Sequence, residues 1–254
     1  MKAMITGAAK GLGQALSEKL LQENCDLVAV DNNPEALSYM AQKWRGLCDC
    51  RNVDLADGRA VDDLMQRLEV SGPLDLVVLN AGISATGNFE ELPASIYQQV
   101  IAINTLAPIV MAVSLMQQGL IAKGGTIVLI ASLSNAVGYP GASVYAASKD
   151  ALACHARSAR KAFKQRDVNL LTVFPGPIRT DHAERHAPIG ADASKRMAPD
   201  KLAGLILQAV AKRKRTLYPG FAAKASHVAG RMMPGMLTKL MRKIIFEKLE
   251  GPRF

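Results

Sequence analysis

Thr6 to Gly13, which reads T-G-A-A-K-G-L-G, restricts the fold of this chain more than any other segment. A short apolar run, Lys2 to Ile5, precedes it, and Leu12, Leu16, Leu20 and Leu21 follow at helical spacing. A strand that enters a glycine-rich turn and leaves it as a helix is the context in which such a turn binds a dinucleotide. Gly7, Gly11 and Gly13 would let backbone N–H groups approach a pyrophosphate, and the helix N-terminus adds partial positive charge. Taken alone, the glycines suit an ordinary loop equally well.

The next apolar run, Asp26 to Asp31 (D-L-V-A-V-D), ends in a carboxylate eighteen residues after Gly13. That is near the separation expected of an acidic residue that hydrogen-bonds an adenosine ribose. Asn32, Asn33 and Pro34 follow, so Asp31 also suits a turn or a helix cap. Further strands are predicted near 48–54, 74–80, 126–132, 168–174 and 216–218, with helices near 57–69, 93–118, 143–164 and 200–212. Strands alternating with helices imply a parallel sheet, with ligands beyond the carboxyl ends of its strands. A chain of 254 residues without an internal composition break fits a single domain.

Tyr145 and Lys149 stand four apart in Y-A-A-S-K, thirteen residues after Ser132. On a helix this spacing puts both on one face. Bringing a phenol from pKa ~10 to ~7 takes roughly 4 kcal/mol, and an ammonium about 4 Å away supplies that order of energy at an effective dielectric near 20. The pair is therefore sufficient for a tyrosine general acid/base. A surface helix that happens to carry Tyr and Lys reads the same way. Ser132 closes the apolar run V-L-I-A-S, where its hydroxyl could meet a substrate oxygen or cap a helix.

Taken in order, these residues resemble the short-chain dehydrogenase/reductase superfamily in its single-domain form, from about Lys2 to Asp181 and more loosely to Gly220. The glycine turn matches T-G-x-x-x-G-x-G, Asp54-Leu55 the adenine-contacting D-[VL], Asn80-Ala81-Gly82 the N-A-G motif, and Pro175 to Thr180 the P-G-x-[IV]-x-T motif. The resemblance implies an α/β Rossmann-type doubly wound sheet and an oxidoreductase acting on a carbonyl or secondary alcohol. It implies a catalytic set of Asn104, Ser132, Tyr145 and Lys149. Ser132 would orient the substrate oxygen and Tyr145 would move its proton. Lys149 would lower the tyrosine pKa and hold the nicotinamide ribose, and Asn104 would hold a relay water. The implied cofactor contacts are Gly7, Lys10, Gly11, Leu12, Gly13, Asp31, Asp54, Leu55, Asn80, Ala81, Gly82, Tyr145, Lys149, Pro175, Gly176, Ile178 and Thr180. Asp31 opposes a 2′-phosphate and favours NAD. Lys10 could pair with that phosphate, which keeps NADP open, or pair with Asp31 instead. A non-catalytic dinucleotide sensor on the same fold is the competing reading. Family members commonly form homodimers or tetramers through the two long helices, where Ala107, Met111, Ala147, Ala151 and Cys154 are small or adaptable.

Charge divides the chain. Residues 1–194 carry 17 Lys+Arg and 19 Asp+Glu, net −2, whereas residues 195–254 carry 14 and 3, net +11. In the tail, Met236, Leu237, Leu240, Met241, Ile244, Ile245 and Leu249 repeat at helical spacing, with Lys239, Arg242, Lys243 and Glu247 largely between them. Residues 221–254 are therefore expected to form a basic amphipathic extension. It could pack on the body or a second subunit, lie on an anionic membrane, or dock an acidic partner. It is similar to the endings of family members that act on steroids, retinoids or acyl chains. No aromatic-rich motif supports nucleic-acid binding. Residues 181–197, with His182, Glu184, Arg185 and His186, are expected to cover the substrate or to form a solvated loop. Cys25, Cys48, Cys50 and Cys154 show no zinc spacing and read as buried thiols, so no metal is expected. The lack of a leader and of eighteen consecutive apolar residues argues for a cytoplasmic protein, at most peripheral to a membrane.

Overall fold

The structure, a computed structural model, describes residues 1–69, 72–136, 139–187, 190–244, 246–249 and 251–254. Seven strands form one parallel sheet: β1 (Lys2–Thr6), β2 (Asp26–Asp31), β3 (Cys48–Asn52), β4 (Leu74–Leu79), β5 (Ile121–Ile130), β6 (Asn169–Val173) and β7 (Thr216–Leu217). Their order is β3-β2-β1-β4-β5-β6-β7. The chain winds outward from β1 to β3, then crosses back to β4 on the other side of β1. The crevice at that reversal is where an open α/β sheet binds its ligand.

Alternation along the strands builds two cores. Met4, Val28, Val30, Val77, Leu79, Ile127 and Leu129 face one side. There they meet α3 (Gly58–Glu69), α5 (Ala107–Gln117) and α6 (Ser143–Gln165). Ala3, Ile5, Leu27, Ala29, Leu76, Val78, Val128 and Ile130 face the other, against α1 (Gly11–Gln22), α2 (Pro34–Lys43) and α8 (Pro199–Ala211). The sheet is thus buried on both faces, which is why its central strands are nearly continuous apolar runs.

One long helix is predicted at 93–118. It comprises α4 (Ala94–Ile101), a π-helical segment Ala102–Leu106, and α5. Such π segments often occur at functional sites, and this one holds Asn104. The stretch Ala94–Gln117 is long and apolar enough to cross a membrane by length and composition alone, and 44% of its most apolar window is buried inside the protein.

The tail differs from its expected form. Met236 to Leu249 is not one helix: α9 (Gly220–Met232) leads to α10 (Pro234–Ile244), and a 3-10 turn follows at Phe246–Lys248. Ile245 lies outside the described residues. The chain then folds back onto the body. Thr86 and Arg253 form an antiparallel bridge through two backbone hydrogen bonds of 2.8 and 2.7 Å. A Cβ at Gly141 would sit 2.5 Å from Leu249 Cδ1 and 2.9 Å from Phe246 Cδ2, so the end of the tail presses on the turn before α6.

Two further expectations are corrected. Only Cys25 is a buried thiol; Cys48 and Cys50 are half-buried on one face of edge strand β3, their sulfurs 3.5 Å apart, and Cys154 is exposed. Ala107 and Met111 belong to the core and are not available to a second subunit, whereas Ala147, Ala151 and Cys154 are exposed.

Candidate functional site

The site lies at the carboxyl ends of β1, β2, β4, β5 and β6. Gly7 and Gly11 have φ of +63° and +55°, a region in which side chains are strained. A Cβ at Gly13 would collide with the Gly7 carbonyl oxygen, so glycine lets α1 start directly on the turn. Leu12 is buried behind the turn and Lys10 is exposed on it.

Asn80 secures the turn. Its Nδ2 donates to the carbonyls of Thr6 (3.0 Å) and Gly7 (3.1 Å). The N–H groups of Asn80 and Ala81 donate to Thr6 Oγ1 at 3.0 and 3.1 Å. Asp31 accepts from Ala9 N at 2.9 Å and from Asn33 N at 3.0 Å. Its carboxylate is thus tied to the glycine turn by the backbone rather than by Lys10. Asp54 is exposed and accepts from Ala56 N at 2.9 Å, with Leu55 buried beside it.

Asn104 is fully buried. Its amide mirrors the Ile83 backbone, accepting from Ile83 N at 2.9 Å and donating to Ile83 O at 2.8 Å and Ser148 Oγ at 3.0 Å. A Cβ at Gly82 would lie 3.1 Å from Asn104 Oδ1 and 3.2 Å from Lys149 Nζ, so both atoms border a space that only glycine leaves open.

Lys149 is 4% exposed, and its ammonium donates to Ile130 O at 2.9 Å. Burial pushes its pKa down to about 8. Its Nζ lies 6.0 Å from the centre of the Tyr145 ring. Tyr145 does not show the lowered pKa expected of it. Burial raises the phenol, and a hydrogen bond with Ser132 pulls the other way. Desolvation therefore outweighs the Ser132 hydrogen bond. Ser132 lies two residues beyond β5 and also accepts from Ser134 N at 3.1 Å.

Pro175, Gly176, Ile178 and Thr180 follow β6. A Cβ at Gly11 would sit 3.1 Å from Thr180 Cγ2, so this segment faces the glycine turn. Ile178 forms a parallel bridge with Met197, which ties the two ends of this segment together. Just after Thr180, α7 (Asp181–Arg185) is capped by Thr180 Oγ1, which accepts from Ala183 N at 3.2 Å. Burial, then His186, Arg185 and Lys149, push His182 down to about 4, so its imidazole is neutral at neutral pH. The His182 and His186 rings are 5.0 Å apart, and His186 Nδ1 is 3.2 Å from Thr86 Oγ1.

Sequence reasoning missed Thr6 Oγ1, Ser148, Ile83 and the Ile130 carbonyl. Thr6 and Ser148 lie inside quoted motifs. Ile83 and Ile130 act through backbone atoms, which leave no residue signature. Among the described residues no group of three His, Cys, Asp or Glu could hold a metal ion.

The residues fit a dinucleotide. The turn is open where side chains would fill it, and the end of β2 carries a carboxylate. Comparison with known proteins agrees. The family model for short chain dehydrogenase matches residues 1–188. The cyclic-di-GMP-binding biofilm dispersal mediator protein of Escherichia coli K12 is 30% identical, over 80% of this chain and 86% of its own. A short-chain dehydrogenase from Streptomyces avermitilis superposes with a TM-score of 0.82 at 22% identity, covering 96% of both chains. BdcA, solved in complex with NADPH, superposes with a TM-score of 0.71 at 27% identity, covering 82% of this chain and 86% of its own.

Proposed function

We propose that this chain, which belongs to the short chain dehydrogenase family of NAD(P)-dependent oxidoreductases, interconverts a secondary alcohol and a carbonyl through Ser132, Tyr145, Lys149 and Asn104. The observation that carries this reading is the meeting of the Ser132 hydroxyl with the Tyr145 phenol, one helical turn from a buried Lys149, beside the glycine turn. The nicotinamide, when bound, donates or accepts the hydride. Tyr145 gives its proton to the substrate oxygen in reduction and takes one in oxidation. Ser132 donates a hydrogen bond to that oxygen and fixes its place. Lys149 holds the nicotinamide ribose. Asn104 Oδ1 and Lys149 Nζ border the space that a relay water needs. Thr180 and the Ile178 backbone hold the carboxamide.

NAD(H) is the favoured cofactor, because the Asp31 carboxylate stands where a 2′-phosphate would add like charge. The proposed substrate class is a carbonyl or alcohol, extending to lipophilic ones, met by α7 and by the returning tail. A second reading, a non-catalytic dinucleotide binder, draws on the relative named for binding cyclic-di-GMP. The presence of Tyr145 and Lys149 together with Ser132 speaks against it.

The test follows reduced-cofactor absorbance across a panel of carbonyls and alcohols. Turnover is expected for the native enzyme. Tyr145→Phe should lose at least about a hundredfold in kcat while binding cofactor as before. Residual activity above that level would remove Tyr145 from the proton-transfer role. Absence of turnover across the panel, with intact dinucleotide binding, would favour the binder.

A further inference from the structure

The outer face of the C-terminal extension is apolar, exposed and positively charged. In α9, Phe221, Ala225, Val228 and Met232 follow one another at spacings of four, three and four residues and so form one stripe. Phe221 is 87% exposed and Met232 76% exposed. In α10, Met236 and Leu240 are also exposed. The opposite face of α9 is the packed one. There Ala223 and Gly230 are buried, and His227 Nε2 is 3.0 Å from the Tyr218 hydroxyl. Through α9 the extension rests on the 3-10 turn Leu133–Ala136, immediately after Ser132.

Residues 220–244 contain five cations, Lys224, Arg231, Lys239, Arg242 and Lys243, and no acidic residue. Lys224 and Arg231 lie along one edge of the α9 stripe, where their stems can lie along apolar surface while the charged ends reach headgroups. A monomer rarely leaves such a contiguous apolar stripe to water without a use for it.

We propose that the outer face of α9 and α10 docks this enzyme peripherally on an anionic lipid surface, with Phe221, Val228 and Met232 entering the headgroup boundary. Three observations select a bilayer over other occupants. The protruding side chains stand out of the surface rather than line a recess, which suits a fluid acyl layer. A second copy packed symmetrically on the same face would bring like cations, Lys224 and Arg231 among them, against their copies. Further along the tail Phe246 and Leu249 already press on Gly141 and Arg253 pairs with Thr86, which leaves α9 and the first turns of α10 to meet a partner. Basic amphipathic helices bind bilayers in this manner, through apolar burial joined to attraction by anionic lipid.

The full-length protein is sedimented with vesicles of phosphatidylcholine alone and with vesicles containing about 30% phosphatidylserine, at low salt and at about 0.5 M salt. Binding is expected to the anionic vesicles at low salt, at least about tenfold weaker on neutral vesicles or at high salt. Phe221→Glu with Met232→Glu should abolish it. Both side chains are exposed, so thermal stability and turnover of a small soluble carbonyl should not change. Failure of the native protein to pellet with anionic vesicles at low salt would overturn the proposal. So would undiminished binding by the double variant. A fall in molar mass on making that variant, measured by light scattering, would assign the stripe to a second copy and overturn it as well.

Discussion

Lys149 is the residue on which the electrostatics of the site turn. Its ammonium is buried with a neutral carbonyl, Ile130 O, as its hydrogen-bond partner. The pKa falls from the model-peptide 10.5 to about 8. Below pH 8 the folded and unfolded chains are both protonated and the folded one bears the whole desolvation penalty. Between about 8 and 10.5 the unfolded lysine keeps its proton while the folded one has lost it, so stability rises with pH. The shift corresponds to an order of about 3 kcal/mol. Lys149→Met has no such titration. The stability of native protein relative to this variant should therefore increase by up to about 3 kcal/mol from pH 8 to pH 10.5, read from urea denaturation of both. A constant difference would mean the lysine is better solvated than its burial indicates. The same variant should weaken dinucleotide binding, since the ammonium is assigned to the ribose. Asp31 makes the other residue-scale prediction. kcat/KM should be higher for NAD(H) than for NADP(H), and Asp31→Ser should narrow the gap. A tenfold preference of the native enzyme for NADP(H) would instead assign Lys10 to the 2′-phosphate.

At the scale of elements, the tail and α7 act together. Arg253 Nη1 donates to the carbonyls of Arg185 and Ala187, both at 3.3 Å, and so holds the C-terminal end of α7. Its backbone pairs with Thr86, whose hydroxyl meets His186. Deleting Pro252–Phe254 removes the bridge, whose two backbone hydrogen bonds are together worth on the order of 1–3 kcal/mol. The expected result is a lower Tm and a raised KM for the carbonyl substrate, with cofactor Kd unchanged. An unaltered KM would show that α7 holds its position without the tail. None of this coupling was legible in the sequence. The glycine turn, Asn80, Asp31 and the Tyr145–Lys149 spacing were legible because their side chains, or the lack of them, do the work within short segments. The tail is held by backbone pairing to Thr86 and by close approach to Gly87 and Gly141, more than a hundred residues away. Helical periodicity runs straight through Met236–Leu249, yet α10 spans Pro234–Ile244 and Phe246 and Leu249 press on Gly141. The pKa of Tyr145 was misjudged for a related reason. Spacing gives the distance to an opposite charge, but desolvation depends on everything packed around the ring.

The molecule as a whole presents two apolar surfaces that differ in charge. One, on α9 and α10, lies in the strongly basic segment 195–254. The other runs along α4, the π segment and α5, where Ile101, Leu106 and Val113 are exposed, Leu106 at 59%, and along α6, where Ala147, Ala151 and Cys154 are exposed. In that second surface residues 94–117 carry no charged side chain, so two copies can approach along α4, the π segment and α5 without the repulsion that the tail would impose. Small residues on α6 permit close helix packing, and Leu106 supplies an apolar anchor. We predict a homodimer or tetramer assembled through α4, α5 and α6. Leu106→Glu would place a carboxylate at the centre of that interface and its copy. Because Leu106 is exposed in the protomer, the substitution should leave each subunit folded while driving the assembly to monomers. Light scattering at micromolar concentration reads the outcome. A monomeric native protein would refute assembly, and an oligomer untouched by Leu106→Glu would move the interface away from these helices.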